Sequence, residues 1–255
     1  MYPLLFRIGP IPVHTYGVFV AAGFLAGLTV ALRQAAREGI DSNRILDLSF
    51  YALIAAVVGS RVAYILVNPE LFRNDPLEAL RLWHGGLVFY GGFLAALAVL
   101  FWYVKHFRLP FYKTADIMAP ALALGQSLGR LGCFFAGCCY GKPGDLPWCV
   151  TFTHPEALAP KDLALHPTQL YSAASNFAIF SALLLLRSRK RFDGQVLWLY
   201  VLLYAVSRFI VELFRGDDRG GFLWGLLSPA QALGALMACV ALFMLLAHSR
   251  KVKEG

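Results

Sequence analysis

The chain has 255 residues, 58% of them hydrophobic and 15% charged, with a formal net charge of +8. An ordinary soluble domain carries about 25% charged residues, so this composition, with a mean hydropathy of +0.61, excludes that class and points to a protein that lives in lipid. The positive balance alone would admit a nucleic-acid partner; the placement of the charges along the chain argues against one.

The first nine residues carry Arg7 and Gly9, and Pro10 and Pro12 follow. No cleavable signal peptide is expected from such a start, and the first apolar segment then serves as its own insertion signal. A spanning helix needs about 20 mostly apolar residues. Seven segments meet that requirement, at 16–32, 46–67, 87–104, 115–135, 170–187, 195–214 and 229–247. The expected fold is an all-α integral membrane protein, a seven-transmembrane-helix bundle forming a single membrane domain over 1–255. Its longest connection, 136–169, contains Pro143, Pro147, Pro155, Pro160 and Pro167 and reads as an irregular loop over one membrane face. No internal repeat is visible, which argues against an inverted-repeat transporter.

Of the 23 Lys and Arg, three lie inside the spans: Arg61, Arg130 and Arg208. The connections after spans one, three and five, with the C-terminal tail, hold 13: Arg33, Arg37, Arg44, Lys105, Arg108, Lys113, Arg187, Arg189, Lys190, Arg191, Arg250, Lys251 and Lys253. The other side holds seven: Arg7, Arg73, Arg81, Lys142, Lys161, Arg215 and Arg219. Basic residues mark the cytoplasmic face, so the N-terminus is predicted outside, the C-terminus cytoplasmic, and 68–86 and 136–169 outside. The run "RSRKR" is then a cytoplasmic anchor. Small residues four apart, Gly23/Gly27 and Gly125/Gly129, predict close helix approach.

An arginine at mid-membrane opposes insertion by about 2.5–3.5 kcal/mol. Arg61, Arg130 and Arg208 each sit late in an outward-going span, so all three fall in the outer half of the membrane. Three guanidiniums at one depth suggest a converging site, and the arginine fork matches a phosphate; a phospholipid head group is the natural ligand there. In "YAVSRFIVELFRGDD" the spacings of four, four and three put Tyr204, Arg208, Glu212 and Arg215 on one helical face, where Glu212 can orient both arginines. Other polar groups near the outer surface are His84 and Tyr90 in "HGGLVFYGG", and His166, Thr168, Gln169 and Tyr171 in "HPTQLYS". Tyr171 and Tyr16 read by default as aromatic-belt residues.

Four cysteines fall on the outer side: Cys133, Cys138, Cys139 and Cys149. Cys239, in the last span, reads as packing. The spacing C-x4-CC-x9-C is not the paired C-x2-C pattern of structural zinc sites, and adjacent cysteines rarely both ligate one ion, so no metal is expected. An outer-side disulfide is favoured, with Cys133 to Cys138 or Cys139, or one of these to Cys149, all open. A membrane thiol-disulfide oxidoreductase is the alternative function these cysteines raise.

The stretch "GRLGCFFAGCCYG" resembles the signature of bacterial prolipoprotein diacylglyceryl transferases, and the resemblance runs in order through "YGVFVAAG", "GSRVAYILVNP", "HGGLVFYGG", "HPTQLYS" and "RFIVELFRGDD". It implies transfer of diacylglyceryl from phosphatidylglycerol to the lipobox cysteine thiol of a prolipoprotein, giving a thioether and glycerol phosphate. The setting would be the bacterial inner membrane, multi-pass, with the site toward the outer face. It implies that Arg130 and Arg208 are the essential pair, with Tyr16, Arg61, Tyr204, Glu212 and Arg215 helping to bind the lipid. No cofactor is implied, nor a partner beyond phosphatidylglycerol, the lipobox segment and membrane lipids; nucleic acid is not expected, and a monomer is. Two departures stand out. Many members read HGG where this chain has Tyr90-Gly91-Gly92, so Tyr90 takes a candidate catalytic role as base, with His84 and His166 as substitutes. Members also carry asparagines and an acid where this chain has Cys133, Ala136 and Cys138.

Overall fold

A computed structural model describes residues 2–9, 11–73, 75–81, 85–217 and 228–254. Two short strands, β1 (Leu4–Ile8) and β2 (Ile11–His14), precede helices α1 (Thr15–Glu38), α2 (Ser42–Val67), α3 (Glu70–Arg73), α4 (Phe89–His106) and α5 (Phe111–Ala136). Strands β3 (Val150–Thr151) and β4 (Ala164–Leu165) follow, then α6 (Thr168–Arg187), α7 (Gln195–Leu213) and α8 (Pro229–Glu254). Among the described residues, six helices are long and apolar enough to cross a membrane: α1, α2, α4, α6, α7 and Pro229–Ser249 of α8. The helix expected over 115–135 is present within α5, but Lys113, Asp116, Gln126, Ser127 and Arg130 dilute its apolar character and it is not among the six.

The sequence reading placed Arg33, Arg37, Arg44, Lys105, Lys113 and Arg187 in connections; all lie in helices. The physical reason is that a helix can run a turn or more past the apolar stretch that defines a span, carrying its basic residues into the interface. The all-α expectation also missed two small antiparallel ladders, β1–β2 and β3–β4. The first is tied to α1, since Thr15 donates from its backbone to the Pro3 carbonyl at 2.9 Å and from its hydroxyl to the Tyr2 carbonyl.

The chain divides into two units, one of Met1–Ala31 with Ala115–Gly255 and one of Leu32–Thr114. In the first, α1 meets α5 through small residues. A Cβ on Gly23 would lie 2.9 Å from the Gly125 carbonyl oxygen, and one on Gly27 2.8 Å from that of Ala121. Gly129 faces open space instead, so the expected pair Gly125/Gly129 contributes one residue to this contact rather than two. Ala119, Ala123, Ile179, Leu183, Val196 and Tyr200 join α5, α6 and α7 in one core.

Asp116, fully buried near the start of α5, accepts hydrogen bonds from the backbone of Gly194 and Leu197, each at 2.8 Å, and meets Lys190 at 3.3 Å. A carboxylate from one helix thus caps the N-terminus of another, where α7 leaves amides unfilled.

In the second unit α2 packs on α4. A Cβ on Gly59 would meet Ala95 at 2.4 Å, one on Gly91 would meet Ala63 at 2.3 Å, and one on Gly92 would meet Ser60 at 2.2 Å. The Gly91-Gly92 pair after Tyr90 is therefore a helix contact.

Candidate active site

The stretch 129–141 folds by a recognisable end-of-helix rule. Gly137 adopts φ +72°, a left-handed conformation that glycine takes without penalty. The Cys138 amide reaches back to the Cys133 carbonyl at 3.2 Å and the Gly137 amide to that of Phe134, closing α5 in a Schellman-type cap. The cap returns Cys138 to the residue five positions earlier. Cys139 is itself left-handed, φ +61°, which turns its side chain back beside its neighbour's. The sulfurs of Cys133, Cys138 and Cys139 lie within 4.8 Å of one another. All five cysteines are thiols. The loop is held from behind by two buried side chains at the start of α6: Thr168 donates to the Cys139 carbonyl at 2.7 Å and Gln169 to that of Cys138 at 2.8 Å.

Beyond the thiols the chain passes between two others. The Gly141 amide donates to His166, that of Lys142 to Phe214 and that of Gly216 to Tyr140. A Cβ on Gly216 would lie 2.6 Å from the Gly141 carbonyl oxygen, so glycine is needed for this approach. The pairing of Gly141 with Arg215 brings the buried Arg215 within electrostatic reach of Cys139. Hydrogen bonding with Cys133 and Cys138, and then the Arg215 charge, pulls the Cys139 thiol well below the usual range, while hydrogen bonding with Cys133 and Cys139 pushes Cys138 up. Cys139 is therefore expected to react with iodoacetamide at a lower pH than Cys138. Arg215→Gln should move the Cys139 reaction to higher pH, as mass spectrometry of the modified peptide would measure.

The α7 face read from spacing is present. Arg208 pairs with Glu212, whose carboxylate also lies 3.9 Å from the Arg215 guanidinium. Arg215 forks onto Asp217 with two bonds of 2.8 Å. Ser228 donates to the other oxygen of Glu212 at 3.1 Å. It also opens α8 as the first residue of a capping box, its hydroxyl accepting from the Gln231 amide while Gln231 accepts from its own. That Ser-Pro-x-Gln box is a sequence signal that the reading above passed over.

Two arginines here are matched by two carboxylates, and Arg130 is the cation left over. Its guanidinium is partly buried and has no hydrogen bond or ion pair among the described residues. Cys133, Cys139, Tyr204 and Arg215 all fall within its electrostatic reach, and Cys133, Cys138 and Arg130 within that of Tyr16. Arg130, Tyr204, Arg208, Glu212, Arg215 and Tyr16 thus belong to one neighbourhood of the first unit.

Arg61 belongs to the second unit. It is 5% exposed, and its guanidinium donates to the carbonyls of Ala79 at 3.0 Å, Gly85 at 2.6 Å and Gly86 at 3.2 Å, and to that of Glu78. It gathers the backbone of residues 78, 79, 85 and 86 around one guanidinium. Tyr90 is 71% exposed with its ring against Phe89. His166 bonds Tyr171 at 3.0 Å, and Tyr171 accepts from Trp148 at 2.8 Å. Cys149 lies along this group: a Cβ on Gly144 would stand 2.6 Å from the His166 ring and 3.3 Å from the Cys149 sulfur. His84 lies outside the described residues.

Fold and site define a multi-pass helical membrane protein with a buried cluster of arginines, carboxylates and thiols. A profile of the family described as Prolipoprotein diacylglyceryl transferase matches residues 3–247. Among similar proteins, the phosphatidylglycerol–prolipoprotein diacylglyceryl transferase of Clostridium tetani is 34% identical over 96% of this chain and 96% of its own. That of Finegoldia magna is 36% identical over 84% and 83%, and that of Vibrio cholerae 34% over 95% and 90%. The chain belongs to the prolipoprotein diacylglyceryl transferase family.

Proposed function

We propose that the chain transfers the diacylglyceryl group of phosphatidylglycerol to the lipobox cysteine thiol of a prolipoprotein; the names of its relatives give the same lipid donor and prolipoprotein acceptor for them. The substrate sulfur, as thiolate, attacks the glyceryl carbon. The C–S bond forms, the C–O bond to phosphate breaks, and glycerol phosphate leaves with the electron pair. A thiol of ordinary pKa near 8.5 is only a few per cent ionised at neutral pH, and negative charge grows on the departing phosphate. The catalytic demands are therefore a source of thiolate and a cation at the phosphate.

The observation that carries this reading is Arg130: a partly buried guanidinium in the signature stretch with its donors unfilled among the described residues. Arg208, held by Glu212, supplies the second fork, while Tyr204, Arg215 and Tyr16 shape the surrounding field. Arg61 acts through the carbonyls of Glu78, Ala79, Gly85 and Gly86 that it holds. An apolar groove of about 220 Å³ between α7 and α8, lined by Ala205, Val206, Phe209, Gly234 and Ala238, suits an acyl chain. In this reading α5 is the seventh crossing, its polar residues facing the bundle. The N-terminus lies outside and the C-terminus in the cytoplasm of a bacterial inner membrane, and the site opens to the outer face.

Purified protein mixed with phosphatidylglycerol and a lipobox peptide is expected to release glycerol phosphate in step with a diacylglyceryl mass gain on the peptide cysteine. A peptide with serine in place of that cysteine should give neither. Release of glycerol phosphate with the serine peptide would mean lipid hydrolysis rather than transfer.

A further inference from the structure

We propose that Cys133, Cys138 and Cys139 form a three-thiolate site for a zinc ion, whose fourth position takes the lipobox cysteine of the acceptor and holds it as a thiolate. The inference rests on the transferase reading above for its substrate and on the geometry of this chain for its site. Three sulfurs within 4.8 Å approach a soft, closed donor set. In a tetrahedral zinc site with Zn–S near 2.3 Å the sulfurs stand about 3.8 Å apart, a closure that rotation about the Cα–Cβ bonds can supply. The set is pre-formed by backbone: the Gly137 turn returns Cys138 to Cys133, the left-handed Cys139 brings the adjacent thiol round, and Thr168 and Gln169 fix the carbonyls. Adjacent cysteines do not converge on an extended strand; here the turn removes that objection.

The surroundings suit the charge. Three thiolates and Zn²⁺ sum to −1, and a fourth thiolate makes −2. Arg215 lies within electrostatic reach of Cys139, and Arg130 within that of Cys133 and Cys139. Cys133 is buried, whereas Cys138 and Cys139 are partly exposed, leaving one side for an incoming ligand. Three protein ligands with an open fourth position are the arrangement of a catalytic zinc.

The chemistry meets the reaction's need for a thiolate, since a free thiol is mostly protonated at neutral pH. Ligation to zinc deprotonates a thiol outright. The lipobox S–H gives its proton to water on binding; the metal-bound thiolate then attacks the glyceryl carbon, forming C–S as C–O breaks and phosphate departs with the electron pair. Zinc undergoes no redox change and is retained.

The test uses the full-length protein in detergent, reduced, stripped with a chelator and titrated with Co²⁺ as a spectroscopic stand-in for Zn²⁺. Wild type is expected to bind one ion per chain with a thiolate-to-cobalt charge-transfer band. Cys133→Ser, Cys138→Ser and Cys139→Ser should each weaken binding by roughly tenfold or more, while Cys149→Ser leaves it unchanged. Lipobox peptide should strengthen the band as a fourth sulfur ligates, and Zn²⁺ should raise transfer by the stripped enzyme by about tenfold or more. No ion bound by wild type, or a band indifferent to the three serine variants, would overturn the site. A band indifferent to peptide, or full transfer by the stripped enzyme, would overturn its role while leaving the transferase reading standing. A peptide-sensitive cobalt band with no transfer under any metal would instead sink the transferase reading and keep the site.

Discussion

Arg130→Ala is expected to lower the turnover of diacylglyceryl transfer by about 10²–10³-fold with little change in thermal stability. The two halves of that expectation have separate causes. Arg130 has no ion-pair partner among the described residues, so truncating it strands no buried counter-charge, and the folded state loses little. The transition state loses the cation at which phosphate charge develops. Arg130→Lys should recover only part of the rate, because an ammonium keeps the charge but not the two-pronged fork. Arg208→Ala makes the contrast. It leaves Glu212, 8% exposed at its side chain, with Ser228 and the more distant Arg215, so activity and stability should fall together. The measurement is initial release of glycerol phosphate from phosphatidylglycerol vesicles, alongside melting in detergent. If Arg130→Ala keeps its rate within threefold of wild type, the phosphate is held elsewhere.

What could be read from the sequence was local. The spacing of Tyr204, Arg208, Glu212 and Arg215 is a property of any helix, and the α7 ladder follows from it. Gly23 and Gly27 likewise found the α1–α5 contact, because glycines four apart expose a strip of backbone to a neighbour. What could not be read depended on one chain element meeting another far along the sequence. Asp116 caps α7 from 78 residues away, and nothing in its own neighbourhood announces that. The contacts of Arg61 with the carbonyls of Glu78, Ala79, Gly85 and Gly86 were not legible either, because backbone carbonyls carry no side-chain signature. Gly91 and Gly92 form the surface on which α2 rests, and the stretch around Tyr90 gave no sign of that partner. The thiol cluster lies between these cases. Gly137 is a legible C-cap, and a cap whose C″ amide returns to the carbonyl five residues back already brings Cys138 to Cys133. The second left-handed residue, Cys139, is not a glycine, and its conformation had no signal in the sequence. Similarly, the β1–β2 and β3–β4 ladders are too short to show an alternation of their own.

Asp116→Ala is expected to cost about 3–5 kcal/mol of stability, the range for removing one partner from a buried charged network. For a chain of this size that is a fall in Tm on the order of 10 °C. The fully buried carboxylate accepts from two amides at the start of α7 and faces Lys190. Its removal leaves those two amides without their acceptor and takes one of two carboxylates from Lys190, which keeps Asp193 at 2.9 Å, at the end of a helix whose dipole favours a negative group there. Asp116→Asn keeps one carbonyl oxygen for one amide but presents an NH₂ where the second acceptor stood, so it should fall between wild type and alanine. The site should feel little of this below the melting range. Asp116 meets the first residues of α7, while Arg208 and Glu212 lie in its last two turns, and a helix of 19 residues is roughly 28 Å long. Turnover at low temperature should therefore stay within about twofold of wild type even as Tm falls, the reverse of the pattern expected for Arg130→Ala. If alanine melts with wild type, the α7 cap contributes nothing net and the helix is held by its packing on α5, α6 and α8. If turnover falls in proportion to stability at every temperature, the two ends of α7 are coupled, and the arginine site depends on the helix terminus that Asp116 secures.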